Sequence, residues 1–427
     1  MTSPMPGASQ RPSRPRFSGN ARRLLWIDRC VGAPVCFLLT GFRRLSDLFR
    51  SGADSQVPTR ILFLKLAEQG STVLACDALQ TAVSLVGRER VFFLVFEENR
   101  FVVDVLGLIP SENVLTIRTR SPWSMMASCL ARLRQIRRLR IDSCIDMEFF
   151  ARSSAVIGFL SGARRRVGFH TYFGEGPYRG DLLTHRVLYN PHLHTSRTFT
   201  SLVRALEIDP GNLPTFPLVP DPPAALPAFR PEEREVTAMR LLFREMAVSD
   251  GARVVLLNAN ASDLLPLRKW ERRNYVELAS RILAEFKDSH VGFTGTAEEA
   301  PEVAALVREV GSPRCFCLAG RTTMRELLVA FGMAEVLVTN DSGPAHFAAL
   351  TDIDVVSLFG PETPLLFGAP GPRSHPLWAG LACSPCVNAF NNRQTACRDN
   401  VCMKRITVDQ VFAEVCRINT QRSARRA

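Results

Sequence analysis

The chain has 427 residues, 46% of them hydrophobic, which is more than one core ordinarily accommodates and enough for two domains. Its 53 Lys and Arg outnumber 41 Asp and Glu for a formal charge of +12, so an anionic partner is expected. No nucleic-acid recognition motif or aromatic interleaving accompanies the basic runs at 132–140 (RLRQIRRLR), 163–166 (ARRR) and 422–427 (RSARRA), so nucleic acid is not that partner, and they read as solvated faces or contacts with an anionic membrane.

Residues 1–21 are rich in Ser, Pro and Arg with little to bury, and disorder is expected there. From 22 to 50 Leu, Trp and Phe alternate with Arg, a pattern suited either to a membrane interface or to docking on the protein. Its most apolar part, 31–42, falls short of the ~18 residues that cross a bilayer. The basic region before it is too long for a signal peptide, and no small-residue cleavage site follows closely. Residues 1–57 are therefore read as a basic, partly disordered and amphipathic extension.

The folded part begins with RILFLKL (60–66), a short apolar run that suits a buried parallel strand. A turn, AEQGS, and a helical pattern over 72–86 complete one β-loop-α unit. Strands at 90–96, 113–117 and 140–147 alternate with helical patterns at 121–139 and 155–163, which implies a parallel sheet covered on both faces. Eight prolines in 209–231 enforce extended backbone and mark a linker between a first domain, 58–208, and a second, 232–418. The second repeats the alternation, with strands at 252–259, 290–295, 315–320, 335–340 and 352–360, and 419–427 form a basic tail. Two Rossmann-like halves place the ligand site in the cleft at the carboxyl ends of the strands.

VLVTNDSGPAHFAAL (336–350) carries the strongest local signal. An apolar strand ends in a polar turn, Asp341 or Ser342 is placed to cap a helix, and Pro344 suits its first turn. The free N–H groups of that turn suit a phosphate, and Gly343 permits close approach. On the residues alone an ordinary capped helix with a satisfied His346 fits equally well.

TNDSGPAH resembles the signature of glycosyltransferase family 9, and the resemblance continues through RILFLKLAEQGSTVLACDAL, LLNANASDLLPLRKWERRNYVELASRI, FTGTAEE and LAGRTTMREL, in order from about residue 60 to about 415. It implies an α/β GT-B fold, two Rossmann-like domains with parallel sheets facing a central cleft. It also implies inverting, metal-independent transfer of a sugar, heptose from ADP-heptose in the best-known members, to a hydroxyl of a lipopolysaccharide-type or other glycan acceptor. The setting implied is cytoplasmic, with peripheral contact to the anionic inner face of the cytoplasmic membrane through a lipid-linked acceptor. A protein acceptor, a sugar-nucleotide epimerase or hydrolase, and a catalytically silent nucleotide-sugar-binding homologue stay open.

Carried over by position, Asp341, Ser342, Gly343 and His346 would hold sugar and diphosphate. Arg268, two residues before Trp270, takes the place of the family's phosphate-binding Lys, with Lys269 in reserve; a guanidinium fork grips phosphate oxygens well. Asn258, Asn260 and Ser262 occupy the polar turn, and Glu298 resembles the ribose ligand. Many members have an Asp after the loop glycine, where this chain has Ser71 after Gly70, and a neutral hydroxyl is no base at cellular pH. Candidates for the base are Glu68 in the same loop and Glu175, Asp181 or His194 in the Gly-rich aromatic stretch 170–194; Asp77 is expected to face elsewhere.

Twelve cysteines, mostly scattered through apolar segments, suit a reducing compartment. Cys383, Cys386, Cys397 and Cys402 have the spacing of a tetrahedral thiolate site for structural zinc or iron, and some protein heptosyltransferase relatives carry a four-Cys iron site. Four reduced or partly paired thiols are the alternative.

Overall fold

The computed structural model describes residues 28–47, 57–218, 226–261 and 265–426; the disorder expected for 1–21 falls outside them. A single turn of wide helix, Asp28–Gly32, leads into α1 (Ala33–Asp47). The first lobe continues through β1 (Ile61–Leu64), α2 (Gln69–Val73), α3 (Cys76–Val86), β2 (Val91–Phe96), α4 (Arg100–Leu106), β3 (Val114–Ile117) and α5 (Pro122–Arg138). It closes with β4 (Ser143–Asp146), α6 (Arg152–Leu160), β5 (Arg165–Phe169), β6 (His185–Val187) and α7 (Thr195–Arg204). The second lobe runs α8 (Glu233–Glu245), β7 (Arg253–Asn258), α9 (Arg272–Glu285), β8 (Ser289–Phe293), α10 (Ala300–Val310), β9 (Cys315–Cys317) and α11 (Met324–Met333). Then follow β10 (Val336–Asn340), α12 (Gly343–Ala348), β11 (Asp354–Phe359), α13 (Pro364–Phe367), β12 (Ser374–Trp378), α14 (Val401–Lys404) and α15 (Val408–Arg426).

Two six-stranded parallel sheets result, ordered β3-β2-β1-β4-β5-β6 and β12-β11-β10-β7-β8-β9. In the first, the chain walks outward from β1 to β3 and then jumps back to lay β4 beside β1; in the second it walks from β7 to β9 and returns to lay β10 beside β7. Each jump moves the covering helices to the other face. Phe63, Phe93 and Val103 share one core with Leu79 and Leu202, whereas Leu62, Leu64 and Leu94 meet Leu133 and Ile136 of α5 and Ile157 of α6. Loops leaving β1, β4, β7 and β10 thus diverge at the two switch points, where α/β sheets open a crevice.

Helix α1 docks beside α6 through Cys36, Ala155 and Leu182. Gly180 (φ 69°) makes this possible, because a Cβ there would lie 2.5 Å from Thr40 Oγ1 and 2.7 Å from the Cys36 carbonyl oxygen. Arg43 donates to the Asp181 carbonyl (2.7 Å), and the Asp181 amide donates to Thr40 (2.8 Å). Within the Pro-rich stretch, Phe216 and Phe229 pack on the core and the Phe229 amide donates to Leu350 O (2.7 Å).

Three expectations are revised. β5, β6 and β12 were not foreseen: β5 opens on the arginine run, while β6 and β12 are short edge strands and β12 contains Pro376. The 163–166 run is not a solvated face, since Arg165 and Arg166 lie buried in β5 and Arg166 donates to Leu182 O (2.7 Å) and Ala163 O (2.6 Å). The basic tail continues α15, held where Arg422 pairs with Asp354 (2.5 Å). No helix among the described residues is long and apolar enough to cross a membrane.

Candidate active site

The second-lobe half of the site is built around Asn340, the buried last residue of β10. Its Oδ1 accepts from the Trp270 amide (3.0 Å), and its Nδ2 donates to the carbonyls of Ala259 (3.2 Å) and Asn260 (3.1 Å), which fastens the loop after β7 to the end of β10. Trp270 is anchored in turn by its indole N–H to Ile406 O (2.8 Å) and by edge contact with Tyr275. Two residues earlier, Arg268 is thereby carried over the end of β10. Its Nη1 donates to Asp341 O (3.0 Å), and its guanidinium lies 3.8 Å from the Asp341 carboxylate and 3.5 Å from that of Glu362. Arg268 is an interior cleft cation.

Asp341 and Glu362 form a buried acid pair. Burial raises Asp341 well above the usual carboxylate range, and Glu362 beside it adds to the rise despite Arg268. Burial also works against the Glu362 anion, but Arg268 and Arg393 outweigh it, so Glu362 carries the charge and Asp341 the proton. His346, buried in the first turns of α12, is lowered to about 4 by burial, with His194 and Arg268 contributing, and is neutral at cellular pH. Its Nδ1, Arg268 Nε and Asn260 Nδ2 are buried without hydrogen-bond partners, as a polar ligand would require.

Across the cleft, the loop after β1 is tied down by Glu148, which follows β4: its Oε1 accepts from the amides of Leu66 (2.7 Å) and Ala67 (3.0 Å). Buried Lys65 lies 3.2 Å from Glu148 and 3.4 Å from Glu68. Glu68 turns the chain in the left-handed region (φ 64°) and sends its carboxylate over to Arg393 of the second lobe. Burial would raise that carboxyl, but Arg393, Lys65 and Arg268 hold it down at about 2. Ser71 donates to Glu68 O (2.9 Å) and approaches its Oε2 (3.4 Å). Gly70 touches the opposing lobe: a Cβ there would be 2.7 Å from His346 Cδ2 and 3.2 Å from Gly343 Cα.

The structure gathers Glu68, Ser71, Arg268, Asp341, Gly343 and His346. Ser342 folds its hydroxyl toward Asn340 O (3.1 Å) and Thr339 Oγ1 (3.2 Å) instead of capping an amide of α12. Asn258 spends its amide N–H on Thr294 (3.0 Å), inside the sheet. Lys269 is half-buried and closes a short turn through its amide on Pro266 O (3.0 Å). Glu298 is exposed, while its neighbour Glu299 accepts from the Thr296 amide (2.8 Å) and faces Gly295 and the Asn260 amide. His194 caps α7 and uses Nε2–H on Gly368 O (3.0 Å), bridging the lobes. Glu175 accepts from the amides of Tyr172 and Phe173, and Asp181 pairs with Arg43 and Arg186. Ser262 lies outside the described residues.

Of the four cysteines expected to hold a structural zinc or iron, Cys402 has its thiol pushed up by burial, and the neighbouring Cys386 and Cys397 thiols add to the rise. Cys383 is exposed, Cys397 donates its thiol to Asp399 O (3.0 Å), Cys402 is buried beside Gly360, and no three His, Cys, Asp or Glu among the described residues form a group able to hold a metal ion.

A family model for glycosyltransferase family 9 (heptosyltransferase) matches residues 130–396. The chain belongs to this family. Lipopolysaccharide heptosyltransferase 2 of Salmonella typhimurium is 31% identical over 100 residues, covering 23% of this chain and 29% of that protein. Lipooligosaccharide heptosyltransferase 2 of Haemophilus influenzae is 25% identical over 152 residues, covering 35% and 43%. The matched stretches thus span less than half of either relative. Among solved structures, E. coli ADP-heptose lipopolysaccharide heptosyltransferase II aligns with TM-score 0.65 at 17% identity, over 86% of this chain and all of that one. A family 9 glycosyl transferase from Veillonella parvula aligns with TM-score 0.66 at 14% identity, over 87% of this chain and 100% of that one. Both show a shared fold, the GT-B architecture of the family.

Sequence reading missed Lys65, Glu148, Glu299, Glu362 and Arg393. The first four follow β1, β4, β8 and β11, so the carboxyl-end rule, applied to every strand, would have flagged them. Arg393 lies in the irregular cysteine loop, where no local pattern announces it.

Proposed function

We propose that this chain is an inverting glycosyltransferase that moves a heptose from ADP-heptose to a hydroxyl of a lipopolysaccharide-type acceptor presented at the cytoplasmic membrane surface. The observation that carries this reading is the convergence of Arg268 and Arg393 on the buried acid pair Asp341–Glu362, opposite Glu68, at the two switch points. The names of the matched relatives supply the sugar and acceptor class.

In this reading the donor diphosphate lies against Arg268 and the start of α12, with neutral His346 and protonated Asp341 as hydrogen-bond donors to sugar or phosphate oxygens. A guanidinium in a cleft of low polarity offsets charge growing on the departing ADP far better than one in water. Glu68 is the base. In the free protein its low proton affinity, set by Arg393, Lys65 and Arg268, makes it a weak one. A bound diphosphate draws Arg268 and Arg393 away, the affinity of Glu68 for a proton rises, and the carboxylate becomes competent once donor is present. The acceptor oxygen then forms its bond to the anomeric carbon as its proton passes to Glu68 and the bond to ADP breaks. Ser71 holds the Glu68 backbone and carboxylate in place; it takes no proton itself.

The test is ADP release from ADP-heptose with and without a heptose-free lipopolysaccharide acceptor. Release that depends on acceptor, with a glycosylated product, supports transfer. Equal release without acceptor indicates a hydrolase, and tight binding without release indicates a silent homologue; either overturns the proposal.

A further inference from the structure

Helix α1 is inside out. The side docked on the lobe presents Cys36, Thr40 and Arg43, whereas Phe37, Leu38, Phe42 and Leu45 are 58 to 69% exposed, and Pro34 and Gly41 complete an uninterrupted apolar stripe. Such spacing normally marks a core-facing side. A second stripe lies on α5, where Trp123 (84% exposed), Met126 and Leu130 follow one another at helical spacing and run on into exposed Arg134 and Arg138. No acidic residue occurs in α5.

The two stripes belong to one side of the molecule. α5 and α6 cover the same face of the first sheet, joined where Arg137 donates to Leu160 O (2.7 Å), and α1 packs on α6. Both stripes approach the cleft. Trp123 opens α5 just after the carboxyl end of β3, and Asp28, ahead of α1, pairs with Arg152 at the start of α6, just after β4 (2.7 Å). Phe173, 95% exposed in the loop after β5, lies at the same end of the sheet.

We propose that the outer surface formed by α1 and α5 docks on an anionic lipid bilayer, with Phe37, Phe42, Trp123 and Leu130 inserted at headgroup depth and Arg44, Arg134 and Arg138 meeting the lipid charge. An interfacial helix combines aromatic and aliphatic side chains with arginine in this way, and adjacent basic residues strengthen its attachment to anionic lipid. A second copy is a poor occupant, because a two-fold contact would set the arginines of one copy against those of the other. With this face against the membrane, the cleft at the carboxyl end of the first sheet opens beside the bilayer surface, and a lipid-linked acceptor reaches it without leaving the bilayer. The surface is separate from the donor site, so lipid binding and donor turnover fail or succeed independently.

The experiment is flotation of the full chain with phosphatidylcholine vesicles, with and without phosphatidylglycerol. The Phe37→Ser/Phe42→Ser and Trp123→Ser/Leu130→Ser variants are compared with wild type, and thermal melting checks folding. Wild type is expected to float with phosphatidylglycerol vesicles and bind pure phosphatidylcholine at least about tenfold more weakly, and each variant to lose at least about tenfold with unchanged melting. Wild type that does not float, variants that float equally, a dimer in light scattering that the substitutions dissolve, or vesicle binding that appears only after removal of residues 1–27 would each overturn the proposal.

Discussion

Gly70→Ala separates the fold from the working cleft. Gly70 sits in helix α2 with ordinary helical backbone, where alanine is favoured over glycine by roughly 0.5–1 kcal/mol. Local propensity therefore expects a neutral or slightly more stable first lobe. The opposing lobe says otherwise: the new methyl would stand 2.7 Å from His346 Cδ2 and 3.2 Å from Gly343 Cα, and neither can retreat, because His346 is buried and Gly343 is backbone. The lobes must part instead. Overpacking of this kind costs about 1–3 kcal/mol, which corresponds to a loss of roughly 5- to 150-fold in the closed arrangement. Steady-state ADP release should show that loss in kcat/KM, while thermal melting stays level or rises. A kcat/KM within about twofold of wild type would refute the closed contact as a requirement for turnover. A Tm that fell in step with activity would place the effect in folding.

Removing the cleft cation by Arg268→Ala should lower kcat/KM by about 10²- to 10³-fold, with Arg268→Lys intermediate, as measured by donor turnover. The acid pair should respond unequally: Asp341→Asn replaces a group that already carries its proton and should shift stability by less than about 1.5 kcal/mol, whereas Glu362→Gln strands Arg268 and Arg393 and should cost about 3–5 kcal/mol in denaturant unfolding. Glu68 is held at about 2, below its ordinary 4.5, so its contribution to stability is fully present above the latter and lost as pH falls toward the former. Glu68→Gln should remove part of the wild-type destabilisation between those two values, read as urea midpoint against pH, and should abolish transfer at neutral pH.

Much of this architecture was readable in the chain because parallel strands buried on both faces must be continuously apolar, as ILFL and VFFLVF are. β6 and β12 escaped because edge strands face fewer neighbours and tolerate His185 and Pro376, and β5 escaped because it opens on Arg165 and Arg166. In the site, Asp341 and His346 were legible since each lies within a few residues of the end of β10 and a turn signal, whereas Arg268, well past the end of β7, was reached through the family resemblance beside Trp270. Arg393 and Glu68 were not a readable pair: 325 positions separate them, and only the folding of the cysteine loop over the cleft brings them together. In the 163–166 run, arginines that read as solvent-facing are buried by two carbonyl acceptors.

A crystal structure with ADP bound would address the diphosphate site directly. The phosphates are expected within hydrogen-bonding distance of Arg268 and beside the Gly343–His346 turn, with the Arg393–Glu68 pair loosened. Phosphates held elsewhere in the cleft, with Arg268 still turned onto Asp341 and Glu362, would contradict the account.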